Sequence, residues 1–79
     1  MTWILVKKSE GNRGNAGLKK IYQVILDDTK VITQWGKAEE ITPQAKQEKS
    51  FTWSYQAKAY AYDKVEAKVS KGYELILVA

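Results

Sequence analysis

Short runs of apolar and aromatic residues, separated by polar residues, make up most of this chain. The runs richest in β-branched and aromatic side chains cover residues 2–8, 19–26, 31–36 and 73–78. Runs of this length and composition are typical of β-strands in a small sheet. Between the second and third runs, Asp27-Asp28-Thr29-Lys30 has the composition of a turn, which predicts a β-hairpin. Residues 9–17 contain three glycines and two asparagines and are predicted to form a loop.

Two periodicities compete in the second half of the chain. Residues 46–51 favour a further strand after a connection that contains Pro43, and residues 51–61 alternate strictly, as a strand does. Over residues 53–70, however, a helical wheel separates a polar arc from an apolar side. The polar arc holds Gln56, Asp63, Glu66 and Ser70, and the apolar side holds Trp53, Ala57, Tyr60, Ala61 and Val65. Four alanines add helix propensity, so we predict a helix here.

The predicted helix ends just before Gly72, because a glycine that follows Lys68 and Lys71 suits a left-handed C-cap and the lysines suit a helix C-terminus. The order is then strand, loop, hairpin, third strand, helix and final strand. This order predicts the α+β class, with a small antiparallel β-sheet and one α-helix packed on one face. A chain of 79 residues has surface for one core, so we expect a single domain over residues 1–79.

Composition narrows the class of protein. Hydrophobic residues make up 44% of the chain and charged residues 28%, close to globular averages. The apolar runs at 3–6 and 75–79 are too short to span a bilayer, so we expect a soluble, cytoplasmic, monomeric protein with no membrane partner. Thirteen basic residues against nine acidic ones leave a net charge of +4, which favours polyanionic partners.

The residues that usually carry catalysis are missing from this sequence. There is no histidine and no cysteine, which removes the commonest general base, the commonest metal ligand and the thiol nucleophile. The acidic pairs Glu39-Glu40 and Asp27-Asp28 are consecutive, so on an extended chain their side chains point apart. We therefore expect a protein that is not an enzyme and that uses no cofactor or metal.

A family resemblance covers nearly the whole chain. Ile21-Tyr22-Gln23-Val24, followed by a turn and by Val31-Ile32-Thr33-Gln34-Trp35-Gly36-Lys37, resembles the centre of a WGR domain. Further matches follow in the order of the family, namely Gln44, Phe51, Ala57 and Lys71-Gly72-Tyr73. Two features depart from the family pattern. The signature arginine is Lys37, which keeps the charge but not the planar fork, and Ala38-Glu39-Glu40 replaces the glycines that usually follow.

The resemblance implies binding rather than chemistry, because in poly(ADP-ribose) polymerases the family's domain helps to contact DNA ends. By motif match, Trp35 would stack on a sugar or base, Gly36 would follow it, and Lys37 would meet a phosphate. Each residue also has a structural interpretation, with Trp35 as a core residue and Lys37 as a solvated charge.

Two further groups of residues are candidates. Two strands that we expect to be neighbours carry Lys7, Lys8, Lys19 and Lys20. These lysines would form a basic strip along a phosphate backbone, or would protect an exposed edge or face from aggregation. Four aromatic residues near the helix start would form a base-stacking ladder or part of the core, and the core is favoured. They are Trp53, Tyr55, Tyr60 and Tyr62.

Three functional hypotheses follow from these residues. The first is weak, salt-sensitive nucleic-acid binding, to DNA more than to RNA, through the surface of Trp35 and Lys37. The second is a protein-interaction module that binds no nucleic acid, which would need an exposed apolar patch. The third is self-association through the terminal strands, at residues 3–6 and 75–78.

Overall fold

The computed structural model describes residues 1–8, 19–37 and 45–79. These residues form five strands and one helix. In chain order they are β1 (Thr2–Lys8), β2 (Lys19–Asp27), β3 (Lys30–Lys37), β4 (Ala45–Ser50), α1 (Ser54–Ser70) and β5 (Glu74–Val78). The predicted α+β class is confirmed, and each predicted element is present with ends that differ by a few residues at most. The predicted loop at residues 9–17 lies outside the described residues.

The strands form one sheet in the order β4-β3-β2-β1-β5, and every neighbouring pair is antiparallel. The helix connects strands at opposite edges, so the chain crosses the sheet and α1 packs over β1, β2 and β3. The predicted pairing of β1 with β2 is confirmed, with Lys7 opposite Lys20. Because β1 is paired on both sides, residues 3–6 offer no free edge for self-association, and that part of the third hypothesis is wrong.

The predicted hairpin is present between β2 and β3. Asp27 pairs with Lys30, which leaves Asp28 and Thr29 as the two turn residues. Asp28 has a φ of 54°, in the left-handed region that aspartate tolerates better than most side chains. The turn sets the register of the two strands, and that register brings Tyr22 opposite Trp35.

The core lies between the sheet and the helix, and both sides follow the periodicity of the sequence. Leu5, Val24 and Val31 are fully buried on the sheet side. The helix contributes Ala57, Ala61 and Val65, which are spaced by four residues and so lie on one stripe. Small alanines on this stripe let the helix backbone approach the strands closely.

The ends of the helix are stabilised differently. At the start, the backbone N–H of Trp53 donates to Oε1 of Gln56 at 3.3 Å. At the end, the N–H of Gly72 donates to the carbonyl of Val69 at 3.0 Å, and the N–H of Tyr73 donates to the carbonyl of Lys68 at 3.1 Å. These two bonds form a Schellman motif, and Gly72 has the positive φ of 96° that the motif requires. The predicted glycine C-cap is confirmed.

Two aromatic residues depart from the predicted core. Trp53, which we placed on the apolar side of the helix, is 58% exposed, and Tyr55 is 67% exposed. Trp53 precedes the helix with an extended backbone, so the helical wheel does not apply to it, and Tyr55 lies across the helix from Ala57. Tyr60 is half-buried against Phe51, as expected, and Tyr62 meets the Trp3 ring edge-on at 5.4 Å while remaining 42% exposed. Among the described residues, no helix has the length and apolar character needed to cross a membrane.

Candidate nucleic-acid interface

An aromatic shelf lies at the middle of the sheet, beside the C-terminal half of the helix. The register places Leu5, Tyr22 and Trp35 side by side on β1, β2 and β3. The rings of Tyr22 and Trp35 are nearly parallel, with an interplanar angle of 20° and centroids 6.1 Å apart. Tyr22 is buried, whereas Trp35 is 38% exposed, so the shelf has an inner and an accessible half. The core interpretation of Trp35 is therefore wrong.

The helix C-terminus brings a cation and a third ring to this shelf. Nζ of Lys68 lies 4.5 Å from the centroid of the Tyr22 ring and 5.4 Å from that of Tyr73. The Tyr73 ring meets Tyr22 edge-on at 6.3 Å. The Schellman motif explains this arrangement, since its second bond joins the backbones of Lys68 and Tyr73.

Further lysines surround Lys68. Lys64 and Lys71 follow the same side of the helix, one turn before and one turn after it. From the sheet, Lys7 reaches to 5.8 Å from the Tyr73 ring centroid and passes beside Gly72. The charges of Lys7 and Lys20 both act on Lys68. Five lysines thus converge from three separate segments of the chain.

These side chains enclose a pocket of about 280 Å³, which we call the lysine pocket. Its lining residues are Tyr22, Trp35, Gln47, Lys64, Ala67, Lys68, Lys71 and Tyr73. The lining combines three aromatic rings, three ammonium groups and one amide, and none of the described residues that line it carries a carboxylate. Such a wall can hold an anionic group and a flat ring at the same time.

The pocket alters the acid–base properties of two of its side chains. Burial lowers the pKa of Lys68, and the neighbouring charges of Lys71, Lys64, Lys20 and Lys7 lower it further. Burial raises the pKa of the Tyr22 phenol, although a hydrogen bond with Thr33 and the charge of Lys64 act in the opposite direction. The fold therefore holds positive charges together against their mutual repulsion. A bound anion would relieve that repulsion.

The predicted basic residues are distributed in the following way. Lys7 and Lys20 are directly opposite each other, and both belong to the environment of Lys68. Lys8 and Lys19 are the next backbone pair in the same register. β1 and β2 are inner strands, so these lysines do not cover an edge of the sheet. Their alternative role in protecting an edge is therefore wrong, and a role in protecting a face of the sheet stays a prediction.

The signature tripeptide ends β3 next to the same region. The register pairs Trp35 with Tyr22, Gly36 with Ile21 and Lys37 with Lys20. Trp35 lines the lysine pocket, and the backbone of Lys37 is opposite one of the lysines that act on Lys68. Three further residues that were compared with the family pattern lie outside the described residues, namely Glu39, Glu40 and Gln44.

Sequence reasoning did not select the helical half of this site. It treated Lys68 and Lys71 only as charges that favour a helix C-terminus. The signal was present in the spacing of Lys64, Lys68 and Lys71, which recur at four and three residues and therefore share one side of a helix. What the spacing did not show is that this side faces Tyr22 and Trp35.

A second concave surface lies at the other end of the helix. This N-terminal groove is wider, at about 440 Å³, and its lining residues are Met1, Leu26, Asp28, Ser54, Tyr55 and Lys58. It contains one lysine, the α-ammonium group of Met1 and one aspartate, so it concentrates less positive charge than the lysine pocket. In the described part of the chain, no three acidic, histidine or cysteine residues are grouped as metal ligands would be.

Comparisons with known proteins inform the fold only. No protein-family model matches the chain, and no curated protein matches it. A solved structure does match, the crystal structure of a Bacteroides fragilis protein that was a target of the Northeast Structural Genomics Consortium. The match has a TM-score of 0.78 and 25% sequence identity over 98% of this chain. The chain spans about a fifth of the length of that protein, since it covers 20% of it.

Proposed function

We propose that this domain binds nucleic acid, DNA in preference to RNA, without catalysing a reaction on it. The observation that carries the proposal is a pocket in which three lysines lie with the exposed ring of Trp35, two more lysines act on Lys68, and none of the described lining residues carries a carboxylate. Phosphates supply the complementary charge, and nucleotides supply rings or sugars that stack on an indole. The resemblance to WGR domains, in which this motif meets a sugar-phosphate backbone, points to the same partner.

The residues have distinct roles in this proposal. Trp35 is the stacking platform, and Gly36 adds no side chain beside it. Lys64, Lys68 and Lys71 neutralise phosphates at the pocket, while Lys7 and Lys20 extend the basic surface onto β1 and β2. Lys37 is the phosphate-binding residue that the motif match implies. Only a few phosphates are neutralised, so the affinity is weak, and the release of counterions makes it fall as salt rises.

Nuclear magnetic resonance tests the proposal with a built-in control, because the three tryptophans occupy different environments. Trp3 is 4% exposed, Trp35 is 38% exposed, and Trp53 is 58% exposed but lies away from the lysine pocket. We expect a short DNA oligonucleotide to shift the indole signal of Trp35 and the amide signals of Gly36, Lys37 and Lys68. Added salt should reverse these shifts.

The Trp53 indole distinguishes a specific surface from general attraction to a basic protein. Equal shifts at Trp53 and Trp35 would mean that exposure alone governs the contacts. Absence of any shift at low salt would contradict nucleic-acid binding.

A second candidate function, protein interaction without nucleic acid, is favoured by β5. Four consecutive apolar side chains of this edge strand are 44% to 58% exposed, namely Leu75, Ile76, Leu77 and Val78. The opposite edge, β4, carries the exposed ion pair of Lys46 and Glu48 instead. A continuous apolar edge of this kind can accept a strand from another protein.

Light scattering and affinity capture test this alternative. If β5 binds protein, Ile76→Lys should abolish capture of the partner, or self-association, without unfolding the domain. A monomeric chain that captures no protein, in the presence of the Trp35 shifts described above, would exclude it.

A further inference from the structure

The two halves of the aromatic shelf are not equally available to a ligand. Nζ of Lys68, 4.5 Å from the Tyr22 centroid, covers that ring, and Tyr73 borders it edge-on. Trp35 has no cation over its ring among the described residues, and it is 38% exposed. Its nearly parallel neighbour Tyr22 is 6.1 Å away, centroid to centroid, so the rings lie offset rather than fully face to face. One platform for a flat ring therefore remains, and it lies beside an ammonium group.

The size of the pocket limits what can lie on this platform. At about 280 Å³, the lysine pocket falls just below the range of about 300–1,000 Å³ typical of small-molecule sites. It has room for one nucleotide-sized group. A base that remains in a continuous duplex is covered by neighbours on both of its faces, so it cannot stack on Trp35 until it is unstacked.

From these observations we infer that the lysine pocket receives one unstacked nucleotide, which makes the domain selective for single-stranded over continuous double-stranded nucleic acid. The inference rests on the proposed function and specifies its ligand. The base or sugar lies on Trp35, and the adjoining phosphate lies among Lys64, Lys68 and Lys71. A single strand exposes such a nucleotide at little cost, whereas a closed duplex must first unpair and unstack one.

Gln47 gives the pocket one neutral polar group. It is the amide among the lining residues, and its backbone carbonyl accepts a bond from the hydroxyl of Thr33 at 3.5 Å, which ties β4 to β3 at this point. An amide side chain can both donate to and accept from a base edge. The pocket therefore offers stacking, charge and one polar contact to the same nucleotide.

Competition binding on the whole chain tests the inference. The probes are oligothymidine, oligouridine, a linear duplex, and a relaxed circular duplex that has neither ends nor unpaired segments. Affinities are compared per nucleotide at one salt concentration. We expect the single strands to bind about 30-fold more tightly than the circular duplex, because only the duplex has to expose a base.

The four probes separate the possible outcomes. A preference for either single strand supports the inference, and the ratio of the two shows whether DNA or RNA supplies the nucleotide. Equal affinity for single strands and circular duplex overturns the inference but leaves the proposed function intact. Binding to the linear duplex alone overturns it in favour of duplex ends. Absence of binding to every probe overturns both.

Variants separate stacking from charge. Trp35→Leu should reduce the preference for single strands by about 10-fold while leaving duplex affinity nearly unchanged, since it removes the platform and no charge. Lys71→Gln should reduce the affinity for single strands and the affinity for duplex by similar factors, because it removes only a charge. Trp53→Leu is the matched control, and circular dichroism checks that each variant is folded. An unchanged preference in folded Trp35→Leu would overturn the inference.

Discussion

The two ends of the helix offer aromatic side chains and lysines in different arrangements. At the C-terminal end, Trp35 and Lys68 belong to one pocket, although they are far apart in the chain. At the N-terminal end, Trp53 and Tyr55 are more exposed than Trp35, and Lys58 is the lysine of the adjoining groove. Exposure of aromatic rings is thus greater where positive charge is lower. A binding surface is better indicated by convergence of several chemical groups than by exposure of one.

The largest expected effect comes from removing the positive charge at the C-terminal end of the helix only. The triple variant Lys64→Gln, Lys68→Gln, Lys71→Gln should weaken binding of a single strand by about 100-fold at low salt, because three phosphate contacts are lost. Fluorescence anisotropy with a labelled oligonucleotide measures this loss.

The matched control is Lys30→Gln, Lys46→Gln, Lys58→Gln, which loses the same charge at exposed positions outside the lysine pocket. Its loss should be no more than about 5-fold, because only the long-range field changes. Similar losses in both variants would mean that net charge, and not the pocket, drives binding.

The second effect concerns the aromatic rings. Trp35→Leu should weaken single-strand binding by about 10-fold, since stacking on one aromatic side chain contributes about 1–3 kcal/mol. Trp53→Leu removes the more exposed ring and should leave affinity unchanged. Isothermal titration calorimetry of both variants makes the comparison, and a larger loss in Trp53→Leu would assign binding to the N-terminal end.

A smaller effect is expected in the dependence on salt. Log affinity falls linearly with log salt concentration, and Lys68→Gln should make this negative slope shallower by about 0.7 for a single strand. That is the contribution of one phosphate contact. Lys58→Gln should leave the slope as it is. Titrations at several potassium chloride concentrations measure both slopes, and an unchanged slope in Lys68→Gln would place phosphate elsewhere.

The smallest effect is on stability at alkaline pH. Because the pKa of Lys68 is lowered in the folded state, the folded protein releases this proton before the unfolded chain does, whose lysines keep their usual pKa of about 10.4. At a pH between the folded-state and unfolded-state pKa values of Lys68, the unfolded state binds more protons. Lys68 therefore makes the free energy of unfolding rise with pH in this range. Below the lowered pKa, the contribution of Lys68 to stability does not change with pH.

Urea unfolding from neutral to alkaline pH tests this sign. The difference between wild type and Lys68→Met isolates the contribution of Lys68, since the other groups titrate in both proteins. Relative to the variant, the wild type should gain stability as pH rises. If the difference between wild type and Lys68→Met fell as pH rose, the charge of Lys68 would be stabilising.

The fold was largely predictable because local patterns agree with it. The β-branched and aromatic composition of β1, β2 and β3, the turn at Asp28 and the glycine after Lys71 are each local features of the sequence. Each prediction made from them was confirmed. Trp53 and Tyr55 were exceptions: Trp53 lies one residue before the helix and outside its periodicity, and Tyr55 lies across the helix from the buried Ala57. The pairing of β5 with β1 was not predicted either, because it joins the two ends of the chain.

The candidate site was predicted only in part. Trp35, Lys7 and Lys20 were selected from the sequence, and the structure brings all three to the surroundings of Lys68. Tyr22 was recognised as part of the family pattern but not as the inner half of a shelf. That role depends on burial, which follows from the helix lying over it.

The sequence by itself determined the elements of this protein, their order and its excess of basic residues, because periodicity, turn chemistry and composition are local properties. Only the tertiary structure decided that Lys64, Lys68 and Lys71 face Trp35 across a pocket. The crossing of the helix from β4 to β5 sets which side of the helix meets which strand, and this depends on contacts between residues distant in the chain. A lysine on a helix becomes part of a site only through the residues that folding places opposite it.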